Sequence, residues 1–216
     1  IALTEFFSDS GANHYEAKRA GAAKGRERGK SQRGTLASNR GGVRMAMASG
    51  AVPQSELLLR KQLRNLMKNP VDGFSAGLTD DNNIYEWSVT VIGPPDTLYE
   101  GGFFTAILSF PRDYPQLPPV CKFKSEMWHP NVYPDGKVCI SILHSPGDDP
   151  SGYELSSERW TPVHTVETIM LSIISMLSSP NDESPANIDA AKEWREDKDT
   201  FKKKVQRCVR RSQEML

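Results

Sequence analysis

Cysteine is scarce in this chain: there are three among 216 residues, and no two lie close together. An odd, scattered set argues against a disulfide framework and for a reducing compartment. Long apolar runs are missing too. None approaches the ~20 residues that cross a bilayer, and the stretch Ile169 to Leu177 is interrupted by serines. The first residues are polar, basic and glycine-rich, so no signal peptide is expected and the chain reads as a soluble protein of the cytoplasm or nucleus. Histidines number four. The set His129, Cys139, His144 and His164 holds neither a Cys-x-x-Cys pair nor two closely spaced histidines, so no metal site is expected. Internal repeats are absent, and so is net charge, with 27 basic residues against 27 acidic.

That balance hides an uneven distribution. Residues 1–52 carry nine basic and four acidic groups, and the other 164 carry 18 and 23. A basic tail on an acidic domain is the result. Gly, Ala, Ser, Arg and Lys dominate the tail, and its apolar residues are too scattered to bury. Residues 1–52 are therefore expected to be a disordered extension, with at most a glycine-weakened helix from His14 to Arg28. The basic run Lys24 to Lys30 lacks interleaved aromatics, so no specific nucleic-acid partner is expected. Residues 53–216 form one domain, and 38% hydrophobic content supports a single core.

Periodicity predicts the elements of that domain. Leu59, Leu63, Leu66 and Met67 give a helix from Ser55 to Lys68, stopped by Asn69-Pro70. Strands are expected at Phe74 to Leu78, Ile84 to Ile92, Phe103 to Phe110 and Val120 to Lys124, with short connections that suggest an antiparallel meander. A loop-rich stretch from Trp128 to His164 follows. Val166, Ile169, Met170, Ile173, Ile174 and Leu177 then mark a helix with Thr165 as its N-cap. Two more helices, Asn187 to Glu196 and Asp199 to about Gln213, close the chain. A helix, a run of strands and then helices make the fold class α+β.

The chemistry concentrates between Trp128 and Ser141. His129, Pro130 and Asn131 form a turn made rigid by the proline. Eight residues after Asn131 stands Cys139. A thiolate is the strongest side-chain nucleophile near neutral pH, and acyl transfer through it needs a donor facing the developing oxyanion. Asn131 is such a donor, and the pair points to a thioester intermediate. The neighbours Val138, Ile140 and Ile142 also suit a cysteine that merely packs. Cys121, at a strand start, and Cys208, on the apolar face of the last helix, read as packing residues.

His-Pro-Asn with a cysteine eight residues on resembles the signature of the ubiquitin-conjugating enzymes. Four further blocks extend the resemblance across the domain: Ile92 to Gly102, Phe110 to Pro119, Arg159-Trp160-Thr161-Pro162, and Pro180-Asn181. The stretch between Leu143 and Trp160, with Pro146-Gly147-Asp148-Asp149-Pro150, is similar to the acidic insertion of the G-type subclass, whose members serve endoplasmic-reticulum-associated degradation. The resemblance implies the ubiquitin-conjugating fold, a four-stranded meander with one N-terminal helix and C-terminal helices. It implies that ubiquitin arrives from an activating enzyme onto Cys139 and passes to a lysine amine with a RING or HECT ligase. No cofactor is implied in this chain, because the activating enzyme uses the ATP. Recruitment to the endoplasmic reticulum surface would run only through a partner.

The same resemblance distributes roles. Asn131 either faces the oxyanion or steadies the loop over the cysteine. His129 makes a structural hydrogen bond to nearby backbone. Ser184, in a gate loop with Asp182 and Glu183, orients the incoming lysine. An ammonium with a reference pKa near 10.4 must be neutral to attack, and Asp148 and Asp149 would draw it in electrostatically. The segment carrying them otherwise reads as a mobile surface flap. Partner surfaces map to Arg60, Lys61 and Arg64 on the first helix, to Gln116 and Leu117, and to Thr161 and Pro162. Two rivals stay open: conjugation of another ubiquitin-like modifier, and a cysteine hydrolase built on Cys139 and His144. For the hydrolase, no residue that would orient His144 is evident in the sequence, and the resemblance implies that no histidine base is needed at the cysteine.

Overall fold

The structure, a computed structural model, describes residues 52–152 and 154–214. The expected disordered extension, except for Val52 at its end, and the short helix at His14 to Arg28 lie outside the described residues.

Eight alternating residues are enough to build the apolar face of the sheet. Strands β1 (Phe74–Leu78), β2 (Glu86–Ile92), β3 (Phe103–Ser109) and β4 (Val120–Phe123) pair in sequence order, each antiparallel to the next. The register lines up one apolar face. Trp87 lies opposite Leu108 and Leu108 opposite Cys121, while Val89, Ala106 and Phe123 form the next row and Val91 and Phe104 a third. All eight are buried, as period-two patterning requires. Burying one such large side chain contributes about 1.5–3 kcal/mol.

Helix α1 (Gln54–Lys68) precedes the sheet, and α2 (Val166–Ser178), α3 (Ile188–Glu196) and α4 (Lys198–Glu214) follow the loop-rich stretch. Thr165 caps α2 in a reciprocal box: its side chain accepts from Thr168 N, and Thr168 Oγ1 accepts from Thr165 N. A threonine here does the work usually given to Glu or Gln. The buried stripe of α2 is Val166, Ile169, Met170, Ile173, Met176 and Leu177, which joins the face of the sheet in one core. Phe201, Val205 and Cys208 bring α4 into the same core, and Ser212 Oγ accepts from Phe103 N at 3.0 Å to hold that helix against β3.

Element ends moved by a residue or two from the sequence reading. Ile84 and Tyr85 fall outside β2 because Asn83 opens a turn there, its side chain accepting from Tyr85 N, and Trp87 Nε1 donates to Ile84 O at 2.7 Å. β4 stops at Phe123 because the amides of Lys124 and Ser125 both turn to Thr105 O.

Candidate active site

Between β4 and α2 the chain makes few regular elements, yet nearly every turn in it is anchored. Val138 N donates to Cys121 O and Cys139 N donates to Asn131 O, each at 2.9 Å. These bonds clamp the cysteine both to the sheet edge and to the His129–Asn131 turn. The intervening turn depends on Gly136. Its φ is +92°, and a Cβ there would sit 2.4 Å from Phe123 O. No other residue fits that conformation and approach.

His129 is fully buried and bridges the turn to α2. Its Nδ1 accepts from Asn131 N at 2.9 Å, so the protonated nitrogen is Nε2, which donates to Met176 O at 3.0 Å. Burial, partly opposed by the Met176 bond, pushes the imidazole down from 6.5 to about 4. The unfolded chain takes up a proton near 6.5, whereas the folded chain resists until about 4. Between those values the unfolded state binds more protons, so stability falls as pH falls through the window. The full loss is about 3 kcal/mol at the acid end. Denaturant midpoints should show this decline in the wild type. His129→Gln should start less stable at neutral pH but lose much less across the window.

Asn131 is buried and both ends of its amide are engaged. Nδ2 donates to Asn181 O at 2.6 Å, and Oδ1 accepts from Asn181 N at 2.8 Å. Asn187 N donates to Pro130 O at 2.9 Å. The turn thus holds the segment between α2 and α3 at two points, Asn181 and Asn187. Within that segment Ser184 is exposed, and Asp182 is 3.7 Å from the Arg195 guanidinium.

Cys139 is half-buried at a cleft of about 280 Å³, shared with Tyr133, Lys137, Leu143 and His144. The Tyr133 hydroxyl, which the sequence reading passed over, titrates above its usual range. A hydrogen bond with the Cys139 thiol is the main cause, followed by charge on the same sulfur. His144 Nε2 lies 3.4 Å from Cys139 Sγ. On the far side of the imidazole, Nδ1 lies 2.9 and 2.8 Å from the two oxygens of Glu154. The sequence reading found no orienting residue for His144, and the structure corrects this. Glu154 does that work.

Asp149 and Asp148 part company. The Asp149 carboxylate accepts from Ser151 N and Glu154 N and lies 3.5 Å from Arg159, so it ties its own loop together. Asp148 is exposed. Trp160 N donates to His144 O at 3.1 Å and closes the base of the segment. These bonds tie the described residues of the segment to one another and to its base. Among the described residues no three His, Cys, Asp or Glu side chains converge to hold a metal, and no helix is long and apolar enough to cross a membrane.

The residues read as partner surface are displayed on one tied assembly. Arg60, Lys61 and Arg64 are exposed on α1, as are Gln116, Leu117 and Pro162, while Thr161 is half-buried. Val163 beside them is 81% exposed. Gln62 joins all three segments: its Nε2 donates to the Tyr114 hydroxyl and its Oε1 accepts from Val166 N. Trp160 Nε1 donates to Pro115 O, linking the two loops directly. Gln62 carries no motif, and nothing in the sequence singles it out.

A four-stranded antiparallel meander with flanking helices, and an accessible thiol clamped to a proline turn, defines an acyl-carrying transferase. The comparisons with known proteins give it a family. The model of the ubiquitin-conjugating enzyme family matches residues 58–209. Ubiquitin-conjugating enzyme E2 13 of Arabidopsis thaliana is 78% identical over 163 residues, covering 76% of this chain and 98% of that protein. Human ubiquitin-conjugating enzyme E2 G2 is 54% identical over 154 residues, 71% of this chain and 93% of that one. The solved structure of human ubiquitin-conjugating enzyme E2 G1 superposes with a TM-score of 0.54 at 62% identity, covering 61% of this chain and all of that one. The chain belongs to the ubiquitin-conjugating enzyme family, with G-type members among its relatives, and is a transferase acting through a cysteine thioester.

Proposed function

We propose that Cys139 is the thiol that receives ubiquitin from the activating enzyme and yields it to a lysine amine. The contrast among the three cysteines carries this reading. Cys121 and Cys208 are buried, and burial raises their thiols to about 12 and about 11. Neither forms useful thiolate near neutral pH, and neither is reachable. Cys139 is reachable and held. Thioester exchange is nearly isoenergetic, so alignment by the Asn131 and Cys121 backbone bonds matters more than driving force. Incubating the full chain with activating enzyme, ATP and ubiquitin should give an adduct that a non-reducing gel retains and thiol removes. Absence of any adduct would refute the proposal.

Arg60, Lys61 and Arg64 are the proposed contacts for the activating enzyme and ligase, with Gln116, Leu117, Thr161 and Pro162 completing the RING or HECT surface. Exposed apolar side chains beside cations suit a partner patch. Asn131 and Ser184 are assigned to the lysine-attack step, with His129 as structural support. No cofactor is assigned to this chain. Cytoplasm or nucleus is the proposed location, with any visit to the endoplasmic reticulum surface mediated by a partner.

Of the two aspartates, Asp148 is assigned the steering of an ammonium, because its carboxylate is exposed whereas Asp149 accepts from Ser151 N and Glu154 N. Asp148→Asn should slow single-turnover discharge to free lysine by about twofold at low ionic strength, with the effect vanishing as salt screens it. Asp149→Asn should instead give a loss that ignores salt, because it loosens the loop. A salt-insensitive Asp148→Asn would remove the steering role.

A further inference from the structure

We infer that His144 is the general base of the transfer at Cys139, held in that role by Glu154. The inference deepens the proposed function and rests on Cys139 being the ubiquitin-bearing thiol.

Geometry carries the argument. The imidazole bridges sulfur and carboxylate, with Nε2 3.4 Å from Cys139 Sγ and Nδ1 2.8 Å from Glu154 Oε2. A carboxylate at Nδ1 fixes the proton there, which leaves the Nε2 lone pair toward the sulfur. Glu154 is itself fixed. Ser141 Oγ donates to Oε1 at 2.9 Å, and the Arg159 guanidinium stands 3.7 Å from Oε2. Arg159 is anchored by donating to Ser145 O. The imidazole, 32% exposed against 19% for Glu154, borders the cleft yet is not fully solvated. Its backbone needs no help from the ring, because His144 N and O are both bonded within the loop, to Ser141 O and Trp160 N. Nucleophile, base and orienting carboxylate in this order satisfy the geometric test for an activated thiol. Among the described residues, the other polar groups near this cluster include the Tyr133 hydroxyl, Lys137, Ser145, Asp149 and Arg159.

The proton accounting closes in both half-reactions. In charging, Cys139 gives its proton to Nε2 and its sulfur attacks the ubiquitin thioester carbonyl. The carbon–sulfur bond to the activating enzyme breaks, and the departing thiolate takes that proton. In discharge, a neutral lysine amine attacks the carbonyl and the carbon–nitrogen bond forms. The surplus proton on nitrogen passes to Nε2, the bond to Sγ breaks, and the imidazolium returns the proton to the Cys139 thiolate. No oxidant, reductant or further reactant is required.

The test uses the full chain, charged with ubiquitin and then chased with free lysine across a pH series. His144→Ala should charge more slowly and, once charged, discharge ~10²-fold more slowly, at the lower end for a positioned base, and added imidazole should restore much of both rates. Glu154→Gln should lose about tenfold and displace the pH profile, and Glu154→Asp should recover part of the loss. Where His144→Ala folds poorly, His144→Gln preserves the volume and should show the same slow discharge. Wild-type discharge in either His144 variant overturns the inference. So does a loss that is equal at every pH and insensitive to imidazole, since that marks a structural role. An adduct persisting in Cys139→Ala would instead condemn the assignment of the thiol.

Discussion

Cys139→Ala is expected to abolish the ubiquitin adduct, and Cys139→Ser to replace it with one that resists thiol and yields to alkali. The reason lies in the acyl bond. An oxygen ester is a poorer acyl donor than a thioester, so the serine adduct forms slowly, because a hydroxyl is a weaker nucleophile, and then accumulates instead of passing on. Cys208→Ala and Cys121→Ala serve as controls and should charge normally. Each removes a buried sulfur from the core, so a stability loss of about 1–2 kcal/mol is expected without loss of the adduct. Transfer that survives Cys139→Ala, or that disappears in Cys208→Ala while the protein remains folded, would place the thioester elsewhere.

The expectation is sharp because the spacing that marks this cysteine in the sequence has a geometric counterpart in the structure. In the sequence, the proline turn and the spacing to Cys139 mark it. In the structure, the backbone bond from Cys139 to Asn131 O explains why that spacing is needed. The meander was legible because alternation at Trp87, Val89 and Val91 maps directly onto a buried face. The α2 cap was legible because Thr165 stands just ahead of an apolar stripe.

What sequence reading missed has a common physical character. Glu154 is ten residues from His144 in a segment rich in turn formers, where separation along the chain says nothing about approach in space. Gln62 is a polar residue on a partly exposed helix, and only its tertiary partners reveal it as a junction. Asp148 and Asp149 look equivalent side by side. Only the bonds of Asp149 to Ser151 N and Glu154 N separate a loop tie from a surface charge. Each of these roles is set by contacts that periodicity and local motif do not encode.

Asn131→Ala is the second large effect, expected to leave charging nearly intact while lowering discharge to lysine by ~10²–10³. The sequence left two roles open for this amide, and its geometry permits them to coexist. A side-chain amide has two N–H donors. One donates to Asn181 O while Oδ1 accepts from Asn181 N, so the group is held rigid and a second N–H remains for an oxyanion. Exchange between two thioesters starts from a strong thiolate nucleophile and has little need of that donor. Aminolysis builds a tetrahedral intermediate of longer life and greater charge, and depends on it. Asn131→Asp offers a useful contrast: it keeps an acceptor for Asn181 N but sets a carboxylate against the Asn181 carbonyl and the incipient oxyanion, so it should discharge at least as poorly as alanine. Hydrogen exchange at the Asn181 and Glu183 amides separates the two contributions. Slow discharge with modestly faster exchange and normal charging supports the oxyanion role. If exchange becomes fast and charging and discharge fall by the same factor, Asn131 acts on loop order alone, and no oxyanion donor can be assigned to it.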